Sequence, residues 1–204
     1  MARKSESSSK KFGEKSKERL VKGRPLRPKF LIVCEGEETE PNYFNGFHVN
    51  AEVKPKGEGY NTLSLVERAR KLRQEDEYTE VWCVFDRDSF SAEQFNAALE
   101  MARKEGIKVA YSNEAFELWY LLHFAYYDTA ISRHDYCAKL TEWLGRQYCK
   151  NDRKMYDSLE DRQPEAIRNA QRLLDTYRPK HNPEKDNPCT TVHLLVQELN
   201  KHIR

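Results

Sequence analysis

The chain has 204 residues, of which 38% are hydrophobic and 33% are charged, and its formal net charge is +2. This length suits one well-packed domain with a small appendage, and no apolar run approaches the roughly 18 residues that cross a bilayer. The sequence begins without the apolar segment that a secretory signal requires. We therefore expect a protein without membrane contact that works in the cytoplasm.

The cysteines support the same expectation. None of them is spaced as Cys-x-x-Cys, the pattern of many zinc and redox sites. The five cysteines are Cys34, Cys83, Cys137, Cys149 and Cys189. The sequence therefore predicts free thiols in a reducing compartment, with neither disulfides nor a zinc site.

The net charge conceals two regions of opposite sign. Residues 1–29 carry 11 Lys and Arg against three Glu, whereas the remaining residues carry 24 basic and 30 acidic side chains. We expect residues 1–28 to form a disordered basic arm, which either attracts polyanions or acts as a solubilising tail. The arm residues expected to contact nucleic acid are Lys10, Lys11, Lys15, Lys17, Arg19, Lys22, Arg24 and Arg27.

After the arm, short apolar runs alternate with amphipathic segments. The runs that predict strands, because they are too short for helices, lie at 29–34, around Val53, at 79–86 and at 107–112. Between them, apolar residues at helical spacing predict helices that begin at Thr39, Thr62 and Ser91. This alternation predicts an α/β fold with a mostly parallel sheet flanked by helices.

The second half of the sequence is helical in pattern. The predicted helices cover about 114–124, 132–147 and 163–177, with loops at 150–163 and 178–188. Asn187 as a cap and Pro188 in a first turn predict a last helix from that point. We expect a single domain over 29–204, in which about 114–204 forms a helical extension.

Acidic side chains follow the two strongest predicted strands. Glu35 follows the first strand, and Asp86 and Asp88 end the third. Because ligands of open parallel sheets bind beyond the carboxyl ends of the strands, we expect these side chains to converge, with Glu40 as a further ligand. Carboxylate oxygens are the ligands that Mg²⁺ and Mn²⁺ prefer. Gly36 is expected to allow a sharp turn there. Because glycine has no Cβ, the backbone at this turn could approach a ligand closely.

Other polar residues are candidates for supporting the metal ligands or contacting the substrate: Glu37, Asn113, Glu117 and His123. Asn113 and Glu117 lie four residues apart, so on one helix they would face the same way, over the metal site. A buried salt bridge is the alternative for Glu117, and a purely structural role is the alternative for His123.

Four stretches, in order, resemble a known family: "IVCEGEETEPNYF", "VFDRDSF", "SNEAFELWYLLHF" and "NPCTTVHLLVQEL". A strand that ends in Glu-Gly, followed by a later strand that ends in Asp-x-Asp, resembles Toprim domains, the metal-dependent folds of topoisomerases, primases and OLD-type nucleases. The four stretches together resemble the RloB-like proteins, or AbiLii type, a family of Toprim-like phage-defence proteins. Common Toprim domains have an Asp shortly after the Glu-Gly, where this chain has Glu37 and Glu40.

The resemblance implies a Toprim-like endonuclease that depends on Mg²⁺ or Mn²⁺ and acts in antiviral defence by abortive infection. Its substrate would be RNA, tRNA included, or DNA. The resemblance assigns the metal to Asp86 and Asp88, and makes Glu35 either a further ligand or the general base. It also implies an ABC/OLD-type ATPase as a partner, and the chain has no P-loop motif of its own. The oligomeric state stays open.

Two other functions remain open. An apolar strand followed by Asp-x-Asp also begins the active site of haloacid-dehalogenase phosphatases, in which Asp86 would attack phosphorus. That family normally carries the pair on its leading strand, whereas here an acid-tipped strand comes first. The third function is a non-catalytic interaction or scaffold module of a defence complex, with a partner surface on the helices after residue 114. Metal-dependent cleavage that disappears in Glu35→Ala would separate the nuclease from the scaffold.

Overall fold

The protein is represented by a computed structural model, which describes residues 27–55, 62–87 and 91–203. Several of the candidate residues lie outside this range: Asp88, Lys10, Lys11, Lys15, Lys17, Arg19, Lys22 and Arg24. Glu35, Glu40, Asp86 and the remaining candidates lie within it.

Within the described residues, five strands form one sheet in the order β2-β1-β3-β4-β5. The strands are β1 (Phe30–Cys34), β2 (Ala51–Pro55), β3 (Glu80–Asp86), β4 (Lys108–Asn113) and β5 (Cys189–Thr190). The first four run parallel, and β5 is antiparallel to β4. The predicted α/β fold with a mostly parallel sheet is confirmed. β1 consists of apolar residues because it is central and helices cover both of its faces.

The described helices cover both faces of this sheet. They are α1 (Thr39–Phe44), α2 (Thr62–Leu72), α3 (Ala92–Glu105), α4 (Glu117–Leu121), α5 (Arg133–Leu144), α6 (Met155–Leu159), α7 (Gln163–Asp175) and α8 (Val192–Asn200). Local signals define the ends of α3: the Ser91 hydroxyl accepts a bond from the Gln94 amide, and Gly106 ends the helix with φ 66°. Ser132 and Asp135 form a capping box that starts α5.

Alternate residues of β1 enter two hydrophobic clusters, one on each face of the sheet. Leu31 and Val33 pack against α2 and α3, whereas Phe30 and Ile32 pack against α1 and the helices from α4 onward. The helical second half of the chain thus shares one core with the sheet.

Two predicted helix starts are wrong. The last helix begins at Val192, because Cys189 and Thr190 instead pair with β4 and supply partners to its edge. The amide of Thr191 donates to the carbonyl of Tyr111 at 2.8 Å. Asn113 ends β4, and α4 begins only at Glu117, so the two do not share a helix face. In addition, α6 lies within the stretch 150–163 that the sequence predicts as a loop.

Neither long apolar helices nor disulfides occur among the described residues. No described helix combines the length and the apolarity that a membrane span requires. The five cysteines, all within the described residues, have free thiols; Cys149 is exposed and Cys137 is half-buried, while the others are buried.

Candidate functional site

An acidic pocket of about 380 Å³ opens where β1 and β3 end. Its described lining includes six carboxylates: Glu35, Glu37, Glu38, Glu40, Asp86 and Glu117. It also includes two cations, Arg133 and Lys150. The structure thus brings Glu35, just after β1, and Glu40, in α1, to the same place as Asp86 at the end of β3.

The strand pairing places Glu35 beside Asp86. The amide of Glu35 continues the β1–β3 ladder by donating to the carbonyl of Val84 at 2.8 Å. The amide of Asp86 donates to Oε2 of Glu35 at 3.2 Å. The ladder and this bond hold the Glu35 carboxylate at the end of β3, pointing towards the aspartate.

Glu40 reaches the pocket from the first turn of α1. Its carboxylate is buried, and Oε1 accepts a bond from the amide of Gly36 at 3.3 Å. A Cβ at position 36 would lie 2.0 Å from Oε2 of Glu40. Gly36 does not have positive φ, unlike Gly106 and Gly145. Glycine at position 36 therefore leaves the space that the Glu40 carboxylate fills, and it does not serve a left-handed turn.

Glu117 forms another wall of the pocket from the start of α4. Its side chain is only 3% exposed. The hydroxyl of Tyr148 donates to its Oε1 at 3.2 Å, and Nζ of Lys150 lies 3.6 Å from the same oxygen. Glu117 is therefore a buried carboxylate paired with an exposed lysine at the wall of the pocket, and its role towards a metal or substrate stays a prediction.

The crowding of carboxylates changes their acidity. Burial, assisted by the charges of Glu117 and Glu35, raises the pKa of Glu40 to about 7. Burial and the neighbouring Glu40 and Glu117 also raise the pKa of Asp86, although Arg133 at 2.9 Å opposes this. The two cations therefore offset only part of the negative charge of the pocket.

The donor chemistry of the pocket fits a divalent cation. Glu35, Glu40 and Asp86 offer hard oxygen atoms, which Mg²⁺ and Mn²⁺ prefer, and a cation would relieve the repulsion that contributes to the raised pKa values of Glu40 and Asp86. Within the described residues, however, no three His, Cys, Asp or Glu side chains are arranged as a ready metal-binding group. Asp88, the remaining predicted ligand, lies outside those residues.

Of the other described candidates, Glu37 lies at the pocket, whereas Asn113, His123 and Arg27 lie outside its lining. Asn113 donates from Nδ2 to the carbonyl of Asp186 at 3.0 Å, outside the pocket lining. His123 is buried against Trp119, whose carbonyl lies 2.9 Å from its Nδ1, and burial lowers its pKa to about 4. Glu37 is exposed at the pocket, and Arg27 is exposed ahead of β1, at the opposite end of that strand.

Sequence reasoning missed Arg133, Tyr148 and Lys150. Arg133 is the first residue of α5, and its Nη2 donates to Oδ2 of Asp86 at 2.9 Å. The Ser132 capping box identifies the start of α5, but it carries no signal that this helix approaches the end of β3. Contacts between elements so distant in sequence depend on the tertiary fold.

Comparison with protein families gives one match, the model of the RloB-like protein family, over residues 30–199. Comparisons with curated proteins and with solved structures find no match. The family match covers most of the chain, contains every described residue that lines the pocket, and leaves out the basic arm. The chain therefore belongs to the RloB-like protein family.

Proposed function

We propose that the protein is a metal-dependent endonuclease that hydrolyses phosphodiester bonds of RNA or DNA, as the effector of an antiviral defence system. The observation that carries this proposal is the convergence of Glu35, Glu40 and Asp86 in one pocket at the carboxyl ends of β1 and β3. Membership in the RloB-like family supports it, because the Glu-Gly and Asp-x-Asp strand ends follow the Toprim layout.

In this proposal Glu35, Glu40 and Asp86 hold a Mg²⁺ or Mn²⁺ ion, together with Asp88. When bound, such an ion neutralises charge on the phosphate and lowers the pKa of a water molecule. The chain itself orients the carboxylates: the amide of Asp86 fixes Glu35, and the amide of Gly36 fixes Glu40. Glu35 is thereby positioned as a metal ligand or as the base that takes the proton of the attacking water.

The test is cleavage of total RNA and of plasmid DNA by the purified protein in Mn²⁺ or Mg²⁺, with EDTA as the blank. Asp86→Asn and Glu35→Gln keep the size of each side chain and remove its charge. We expect each to reduce cleavage by more than the roughly 10–100-fold that follows loss of a residue supporting a metal ligand. Asp152→Asn is the matched control, because Asp152 also pairs with an arginine, Arg146, away from the pocket. Full activity of Asp86→Asn would contradict the proposal.

A non-catalytic module of a defence complex is the second candidate. It is favoured by the ion pairs of Arg133 with Asp86 and of Lys150 with Glu117, which partly neutralise the pocket without any metal. Failure of the wild-type protein to bind Mn²⁺, measured by calorimetry, would favour this candidate. The phosphatase has less support, since the leading strand β1 is followed by Glu35 and not by the Asp-x-Asp pair.

We further propose that the protein works in the cytoplasm with an ABC/OLD-type ATPase. Five free thiols suit a reducing compartment. The given sequence has no P-loop motif, and the proposal assigns the ATP-dependent step to a second chain. Cleavage assays with and without an ABC/OLD-type ATPase test the partnership, which predicts that ATP changes the rate only when both proteins are present.

A further inference from the structure

The two cations of the pocket lie on its solvent side. Arg133 is 37% exposed and its partner Asp86 is 14% exposed. Lys150 is 49% exposed, whereas its partner Glu117 is 3% exposed. In both pairs the carboxylate lies towards the protein and the cation towards the solvent. Although Glu37 and Glu38 are also exposed at the pocket, an anion that approaches Asp86 or Glu117 therefore meets Arg133 or Lys150 first.

This layering answers a physical difficulty of the proposed substrate. A pocket with six carboxylates repels a polyanion, and that repulsion is strongest where the side chains are least hydrated. Arginine and lysine are the side chains that most often contact phosphate oxygens in nucleic-acid complexes. The guanidinium group has five N–H donors in a planar fork, so it can contact a carboxylate and a phosphate together.

We propose that Arg133 and Lys150 form a phosphate-binding pair, which holds one backbone phosphate of a single-stranded nucleic acid over Asp86 and Glu117. This inference rests on the proposed function, because the phosphate belongs to the nucleic acid that the proposed endonuclease would cleave. Nη2 of Arg133 lies 2.9 Å from Oδ2 of Asp86, so the guanidinium is already oriented. Nζ of Lys150 lies 3.6 Å from Oε1 of Glu117, longer than a hydrogen bond, so its donors can turn towards a phosphate.

Hydrogen bonds hold the backbone around Arg133 and Lys150 in place. The capping box of Ser132 and Asp135 fixes the helix start that carries Arg133. The hydroxyl of Thr39 donates to the carbonyl of Lys150 at 3.3 Å, which ties this segment to α1. The side-chain ends are exposed while their backbone is held, so little order has to be gained when a phosphate binds.

The test measures binding without cleavage. The anisotropy of fluorescein-labelled 12-nucleotide single strands, one of DNA and one of RNA, is recorded in EDTA at several salt concentrations. For the double variant Arg133→Gln/Lys150→Gln we expect at least about tenfold weaker binding. The slope of log K against log salt should fall by roughly 0.7 for each phosphate that the variant no longer neutralises. An uncharged methylphosphonate strand should bind the wild type and the double variant equally.

Arg146→Gln is the matched control. Arg146 pairs with Asp152 at 2.6 Å with exposures of 43% and 14%, close to those of the Arg133–Asp86 pair, but it lies outside the pocket lining. We expect it to bind both strands as the wild type does. Arg133→Lys should recover part of the affinity, because it keeps the charge and loses the fork.

Mn²⁺ affinity, followed by the paramagnetic resonance of free Mn²⁺, separates phosphate binding from a purely structural role. If Arg133 binds phosphate, Arg133→Gln should keep or increase Mn²⁺ affinity, because Asp86 then loses the ion pair with Arg133 that competes with Mn²⁺. If Arg133 only holds Asp86 in place, Mn²⁺ affinity falls and the salt slope stays unchanged, which would overturn the inference.

Two other results would also overturn it: equal affinity and salt slope in the double variant and in Arg146→Gln, or no preference of the wild type for charged over uncharged strands. Because binding is measured in EDTA, the outcomes are independent of cleavage. If Arg133 and Lys150 bind nucleic acid but the protein never cleaves it, only the proposed endonuclease function is refuted. Cleavage by a protein whose double variant binds normally would refute the phosphate-binding pair alone.

Discussion

At the scale of single residues, Gly36 controls where the Glu40 carboxylate lies. The amide of Gly36 donates to Oε1 of Glu40, and the missing Cβ leaves the space that Oε2 fills. A glycine two positions beyond the end of β1 is thus part of the pocket although it has no side chain. The sequence indicates that Gly36 is important. Only the structure shows the reason, which is that the Glu40 carboxylate, four positions later, occupies the space of a Cβ.

Gly36→Ala should therefore displace Glu40 from the pocket. The added Cβ would lie 2.0 Å from a buried carboxylate oxygen, so the Glu40 side chain has to move. If Glu40 is a metal ligand, we expect Mn²⁺ affinity, measured by calorimetry, to fall at least about tenfold. Gly46→Ala is the control, because its Cβ would meet the ring of Tyr156 and disturb packing outside the pocket lining. Unchanged Mn²⁺ affinity in Gly36→Ala would remove Glu40 from the ligand set.

At the scale of elements, local pattern predicts the strands and helices that one stretch of sequence can define. The apolar run of β1 and the capping residue of α3 are of this kind, and both elements form as expected. β5 is different, since two residues become a strand only by pairing with Ser112 and Asn113 about 78 residues earlier. Asn187-Pro188 has the pattern of a helix start, and this tertiary pairing overrides it.

The candidate site divides in the same way. Glu35 and Asp86 could be predicted because the carboxyl ends of parallel strands meet, a rule that needs only the element order. Arg133 and Lys150 could not, because they reach the pocket from α5 and the segment after it, and no motif marks either residue. The acidic residues of the pocket could therefore be predicted from the sequence, whereas its basic residues could be identified only from the tertiary fold.

The junction of β4 and β5 depends on the Thr190 hydroxyl. This buried group lies 3.0 Å from Oγ of Ser112 and donates to the carbonyl of Tyr111 at 3.2 Å. Thr190→Val removes it and leaves buried polar partners, so we expect the free energy of unfolding in urea to fall by about 1–3 kcal/mol. The exposed Thr176 gives the control Thr176→Val, expected within about 0.5 kcal/mol of the wild type. Equal stability of the two variants would show that the hydroxyl network contributes nothing.

At the scale of the whole molecule, buried ionisable groups link stability to pH in two directions. Burial lowers the pKa of His123 and of His193 to about 4, so the folded protein keeps them neutral while the unfolded chain protonates them near pH 6.5. Their contribution is complete above pH 6.5 and is lost as the pH falls towards 4. The raised pKa values of Glu40 and Asp86 act oppositely, because the folded state takes up their protons first as the pH falls.

Because the two effects oppose each other, the prediction concerns a difference between variants. A histidine with a pKa of about 4 in the folded state destabilises it by about 2 kcal/mol at pH 5 relative to pH 7.5. Between pH 7.5 and pH 5, the unfolding free energy of His193→Gln should therefore fall by about 2 kcal/mol less than that of the wild type. Urea titrations at both pH values measure it, with the exposed His48→Gln as the control. An identical pH response in wild type and His193→Gln would show that His193 is not kept neutral by the fold.

The length of β1 separates the two charged regions of the protein. The described chain enters the strand just after Arg27, where the basic arm ends, and leaves it at Glu35, where the pocket begins. Five residues in a strand rise about 17 Å, so the junction of the arm and the mouth of the pocket lie at opposite ends of the sheet. A ligand that contacts both Arg27 and the acidic pocket must therefore extend along the length of β1.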